Sequence, residues 1–268
     1  MASIFSYQSS EIDWCEKNFQ YSELVAEFYN TISNVPFFIF GPLMMYLMHP
    51  YAQKRSLKVH LVWFLFILVG LFSAYFHMTL SFFGQILDEL AILWLMATCY
   101  CLWFPRCYFP AFLKENRSLF CCLVLFASVV ITFLAFIKPV VNAYMLNCMA
   151  LHICYFTRLE YKKNYPKVNH LIKVAVILWA MALSTWICDR LFCPFFRRID
   201  FTYLHSFWHI LISMAFPYII AIVIIVDGRY EMQDVLLEIH YWPQDQWILG
   251  LPYVTVKDEK ANNESKSY

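Results

Sequence analysis

Long apolar runs separated by short polar stretches set the pattern of this chain. The runs fall at roughly 24–48, 59–78, 80–104, 119–137, 140–157, 170–192 and 201–226. Each is close to the ~20 residues a helix needs to cross the hydrocarbon core of a bilayer. None alternates with period two, and backbone groups in lipid must pair within their own segment, so the runs predict helices. The pattern therefore predicts an all-α membrane protein with a seven-transmembrane-helix bundle over residues 24–226. An acidic segment, 1–23, precedes it. A tail, 227–268, follows; it is mixed in charge, ends in KDEKANNESKSY and reads as disordered.

Composition agrees with that class. Of the 268 residues 61% are hydrophobic and 15% charged, against roughly 45–50% and about 25% in soluble domains. The net charge of +1 gives no hint of nucleic acid. No Gly-rich phosphate loop, internal repeat or obligate protein partner is evident. Residues 1–23 lack a basic start and an apolar core, so the first membrane helix is expected to be its own insertion signal.

Orientation follows from the short loops. One set holds Lys54, Arg55 and Lys58, then Arg106, Lys114 and Arg117, then Arg158, Lys162, Lys163 and Lys167. The opposite set holds Lys17, Lys138, Arg190, Arg197 and Arg198. The richer set is expected in the cytosol, which puts the N-terminus in the lumen and the C-terminus in the cytosol. The acceptor patterns at Asn116 and Asn263 then lie on the cytosolic side and are expected to stay unglycosylated. The endoplasmic reticulum membrane is the expected location.

Polar and ionisable groups at membrane depth are costly and mark function by default. Ser73 and His77 lie near the lumenal exit of the second helix. Asp88 lies about two turns into the third, and His205 and His209 near the lumenal start of the seventh. Both Ser73/His77 and His205/His209 are four residues apart, which puts each pair on one helix face. Three imidazoles with a nearby carboxylate suit a catalytic zinc; the other reading is three hydrogen-bonded bundle residues, as for His152. Asp88 is placed to act as general base and Ser73 to donate to a developing oxyanion, although Ser is also a common packing residue in membrane helices. Glu89 points to a different face. Asp13, Glu16, Asn18 and Glu27 carry hard oxygen ligands suited to calcium; a solvated acidic face is the ordinary alternative. Only Cys15 and Cys193 fall in lumenal, oxidising segments, so these two are expected to pair. Trp94, Phe64, Phe66 and Phe72 could line an acyl pocket, or simply pack.

The stretches DWCEKNFQYSELVAEFYNTISNVPF, GLFSAYFHMTLSFFGQILDELAILW and FTYLHSFWHIL resemble the alkaline ceramidase family, part of a wider group of seven-helix membrane hydrolases that includes adiponectin-receptor-like proteins. The resemblance covers nearly the whole chain. It implies His77, His205 and His209 as zinc ligands, with Asp88 orienting or deprotonating the attacking water and Ser73 on the oxyanion side. It also implies a calcium site at Asp13, Trp14 (through its carbonyl), Glu16, Asn18 and Glu27, and a Cys15–Cys193 disulfide. The implied reaction is hydrolysis of ceramide to sphingosine and a fatty acid, dependent on zinc and stimulated by calcium. The competing reading is a seven-helix adiponectin-receptor-like signalling protein with a structural zinc.

Overall fold

The apolar runs fold as helices, and their ends are set by local chemistry. The computed structural model describes residues 3–257, except 164 and 248. In chain order the helices are α1 (Phe28–Ile32), α2 (Val35–Leu47), α3 (His49–Arg55), α4 (Val59–Thr79), α5 (Phe82–Trp103), α6 (Arg117–Ile137), α7 (Val140–Lys162), α8 (Pro166–Arg198) and α9 (Leu204–Glu231). Six of these, α4 to α9, are long and apolar enough to span a membrane. A seventh span exists if the segment Phe28–Leu47 is counted together with α3, which is bent 60° from it.

Tight ends place the site residues. Helix α4 stops at Leu80, whose φ of 48° is left-handed, a common way to end a helix although unusual for Leu. Ser81 then caps α5 by accepting the Gly84 N–H. Asn116 caps α6 in the same way through the Leu119 N–H, a structural role for that asparagine. Helix α8 is kinked at Phe192, just before Pro194, which removes a helical donor. That kink lies beside Cys193.

The core runs along α2, α4 and α9. Phe66 and Phe216 stack with centroids 4.8 Å apart, and Trp63 meets Phe216 edge-on at 5.5 Å. Gly70 lets α2 approach α4, since a Cβ there would lie 2.5 Å from the Phe37 Cβ; small residues serve this purpose between membrane helices. Phe66 is thus a packing residue. Trp94 is tied to Thr132 at 3.1 Å and Phe64 faces outward.

The tail corrects one sequence expectation. Residues 227–231 continue α9, and β1 (Leu236–Trp242) pairs antiparallel with β2 (Leu251–Lys257). The hairpin packs on α9 and α3, with Leu251 and Val254 buried. Its strands read poorly because Glu238, His240 and Lys257 interrupt the apolar positions; Lys257 pairs with Glu238 at 2.8 Å. The KDEKANNESKSY ending and Asn263 lie outside the described residues, apart from Lys257 itself.

At this end α9 is fastened by charge. Asp227, fully buried, accepts Arg55 Nε at 2.8 Å and Nη2 at 3.0 Å. Glu231 binds Arg106 and Arg117, each at 3.0 Å, and Arg229 binds Glu160 at 3.2 Å. Removing one partner of a buried pair leaves an uncompensated charge, a loss of about 3–5 kcal/mol. Asp227→Ala is therefore expected to lower the unfolding temperature of the detergent-purified protein, and Arg55→Met/Asp227→Leu to restore much of it. Unfolding of Asp227→Ala at the wild-type temperature would show that the pair does not fasten α9.

Candidate active site

A buried triad of imidazoles lies at the other end of α9. Their approach begins with the backbone. Carbonyls in the last turn of a helix have no intrahelical partner. The N-terminal segment supplies them: Glu27 N–H donates to the His77 carbonyl (3.0 Å), Ala26 N–H to Met78 (2.9 Å), Gln8 N–H to Thr79 (3.1 Å) and Ser10 N–H to Leu80 (2.9 Å). Beneath this strap Trp14, Ala26, Phe76 and Leu80 form a small apolar cluster. The strap thereby fixes the end of α4 where His77 sits.

His77, His205 and His209 meet there, all buried, with one ligand-capable atom from each within 4.8 Å of the others. The ring centroids are 4.7 to 5.0 Å apart. His77 Nδ1 lies 2.5 Å from Glu27 Oε2, and His209 Nδ1 lies 2.7 Å from Ser33 Oγ. Those contacts leave the Nε2 atom of each of these two rings facing the other imidazoles or Ser73. His77 Nε2 and His205 Nδ1 are buried without a hydrogen-bond partner, a costly state unless something binds them. The donor set and its orphaned nitrogens fit a metal ion. His152, by contrast, is bonded to Tyr100 at 2.7 Å.

Ser73 Oγ lies 3.3 Å from His209 Nε2 and also interacts with the Asp88 carboxyl. Asp88 is outside the three-imidazole group. Its neighbour Glu89 is turned away and takes a 2.9 Å hydrogen bond from Gln85. The two acids thus occupy different surroundings, as their one-residue offset on a helix requires.

The acidic residues of the strap also come together, although several are already in use. Glu16 accepts the N–H groups of Tyr29 (2.7 Å) and Asn30 (2.8 Å), so it caps the start of α1. Burial pushes its carboxyl up to about 7, while those two hydrogen bonds pull it back down. Glu27 accepts the Trp14 N–H at 3.0 Å and Asn30 Nδ2 at 3.1 Å, besides its contact with His77. Asn18 Nδ2 donates to Asp13 at 3.2 Å, and Asn18 Oδ1 is buried without a partner. Cys15 and Cys193 form a disulfide with Cα atoms 5.3 Å apart. The other eight cysteines carry free thiols.

Three site residues escape a sequence reading. Ser33 holds His209 but looks like ordinary helix packing. Asn30, fully buried, links Glu27 to Ser206, whose hydroxyl donates to Asn30 Oδ1 at 2.7 Å. Asp189, near the end of the 170–192 apolar run, accepts the Cys15 N–H at 3.0 Å; a carboxylate within an apolar run was the available signal.

Comparison with known proteins points one way. Residues 6–255 match the family described as ceramidase. Alkaline ceramidase 1 of Mus musculus is 61% identical over 263 residues, covering 98% of this chain and 96% of its own. Alkaline ceramidase 1 of Homo sapiens is 62% identical over 260 residues, covering 97% and 98%. An alkaline ceramidase of Drosophila melanogaster is 37% identical over 255 residues, covering 93% and 89%.

Proposed function

The chain belongs to the ceramidase family, and on that premise we propose that it hydrolyses the amide of ceramide to sphingosine and a free fatty acid, using zinc and stimulated by calcium. The observation that carries the reading is the buried triad His77, His205 and His209, with orphaned nitrogens, beside the Ser73–Asp88 pair. Three imidazoles with a fourth position open are the donor set of a catalytic zinc. Held there, zinc lowers the pKa of water to about 7 and polarises a carbonyl.

The chain's own groups supply the rest. Glu27 and Ser33 fix the tautomers of His77 and His209, as acceptors on the distal nitrogen do at metal sites. Asp88 takes the proton of the attacking water and returns it to the departing amine. Ser73 donates to the amide oxygen as charge develops there. A site within spanning helices suits a substrate whose two tails stay in lipid. The family weighs against a signalling role with a structural metal.

Calcium is assigned to Asp13, the Trp14 carbonyl, Glu16, Asn18 and Glu27, all hard oxygen donors. Glu27 supports coupling to the triad, because one of its oxygens contacts His77 and the other the Trp14 amide. The disulfide supports a lumenal placement of the strap, since such bonds persist in oxidising compartments. The C-terminus is then cytosolic, and the endoplasmic reticulum membrane remains the assigned location.

Three outcomes are expected. With purified protein and ceramide in mixed micelles, His77→Ala and Asp88→Asn should lower kcat at least ~100-fold, the scale of a lost general base, while Glu89→Gln stays within a few-fold of wild type; full activity in the first two would remove the mechanism. Calcium chelation should slow wild type and leave Glu27→Gln, already slow, unchanged; a chelator without effect on wild type removes the calcium site. An N-terminal epitope should be labelled only after the lumenal side is opened; labelling from the cytosol alone reverses the orientation.

A further inference from the structure

The three imidazoles are not held alike. His77 has Glu27 and His209 has Ser33, but neither ring nitrogen of His205 has a hydrogen-bond partner among the described residues, so whichever one does not ligate has no such group to orient it. The Asp189 carboxyl meets the backbone N–H of His205, but what touches its ring is aromatic. The Trp14 indole lies flat on it, centroids 3.6 Å apart and planes 19° from parallel. Trp208 lies near-parallel at 5.4 Å. A ligating imidazole is normally oriented by a hydrogen bond through its other nitrogen. In this ring the plane is set by stacking instead.

Trp14 is itself gripped by one face of α8. Asp189, buried, accepts the Cys15 N–H at 3.0 Å. Arg190 donates to the Asp13 carbonyl at 3.2 Å, and its guanidinium lies 5.8 Å from the Trp14 ring. Cys193 forms the disulfide with Cys15, and Arg197 Nε donates to the Cys15 carbonyl at 3.2 Å. Trp186 meets the indole edge-on at 5.9 Å. Positions 186, 189, 190, 193 and 197 recur at helical spacing, so a single stripe of α8 holds residues 13–15.

We propose that Trp14 is the positioning residue of His205, its indole taking the place of the missing hydrogen-bond partner, and that Asp189 is the anchor that keeps it there. The proposal rests on the triad being a metal site and names how its third ligand is oriented. It separates two roles of one residue: the Trp14 carbonyl belongs to the strap's oxygen cluster, while the side chain serves the imidazole.

The test uses the full-length purified protein. Zinc per chain and the chelator concentration that removes half of it are measured, and the visible spectrum is recorded after exchange with Co2+. Trp14→Leu and Asp189→Ala are expected to lose zinc about tenfold more readily, the scale for orienting groups, and to shift the cobalt bands. Trp14→Phe, which keeps a ring over His205, should stay near wild type in both. Wild-type zinc retention and cobalt bands in Trp14→Leu, while His205→Ala loses zinc, overturn the positioning role alone. Equal zinc loss in Trp14→Phe and Trp14→Leu, matched by equal falls in unfolding temperature, assigns the effect to packing and also overturns it. A wild-type protein that binds no zinc refutes the metal-site reading and takes this proposal with it.

Discussion

The Glu27 carboxylate governs how this molecule is arranged. It is fully buried, it meets His77 through one oxygen and the Trp14 amide through the other, and its own N–H closes the last turn of α4. A carboxylate can sit in such a place only if its lone pairs are taken. Meeting that condition requires the strap to fold back over the bundle, which brings α1, α4 and the acidic residues to one point. The imidazoles gain a shield from lipid and solvent by the same event.

The two ends of the bundle hold α9 by different contacts. At one end hydroxyls, an amide and imidazoles meet α9, with the carboxylates of the strap behind them. At the other, Asp227, Arg229 and Glu231 each pair with a different partner: Arg55, Glu160, and Arg106 with Arg117. Charged pairs tolerate the polar boundary of a membrane but not its centre. Ion pairs thus fasten α9 at one end, while the other carries the imidazoles.

The spanning helices were legible in the sequence because hydrocarbon thickness imposes length and apolarity on each run. His77, His205 and His209 were legible because i, i+4 spacing and loop charge place them at one depth. Asp88 could be told from Glu89 by helix face alone. What was hidden depended on contacts between distant segments. Ser33 and Asp189 are common residue types whose roles appear only when α9 and the strap arrive beside them. The Trp14 indole stacks on His205, a contact that no spacing encodes. The β1–β2 hairpin was hidden because its pairing partners lie on either side of a loop and its strands alternate imperfectly.

The links that close the site join residues far apart in the chain: Ser33 to His209 across 176 positions and Cys15 to Cys193 across 178. Synthesis proceeds from the N-terminus, so His77 and Glu27 are made and can pair long before either α9 histidine exists. The imidazole triad is therefore completed late, only when α9 has been made. A chain cut short before residue 205 keeps most of its membrane spans and a disulfide-bonded strap, yet holds only one of three imidazoles. Such fragments would be inserted and capped with the triad unfinished, so the three imidazoles meet only once the last helix is in place.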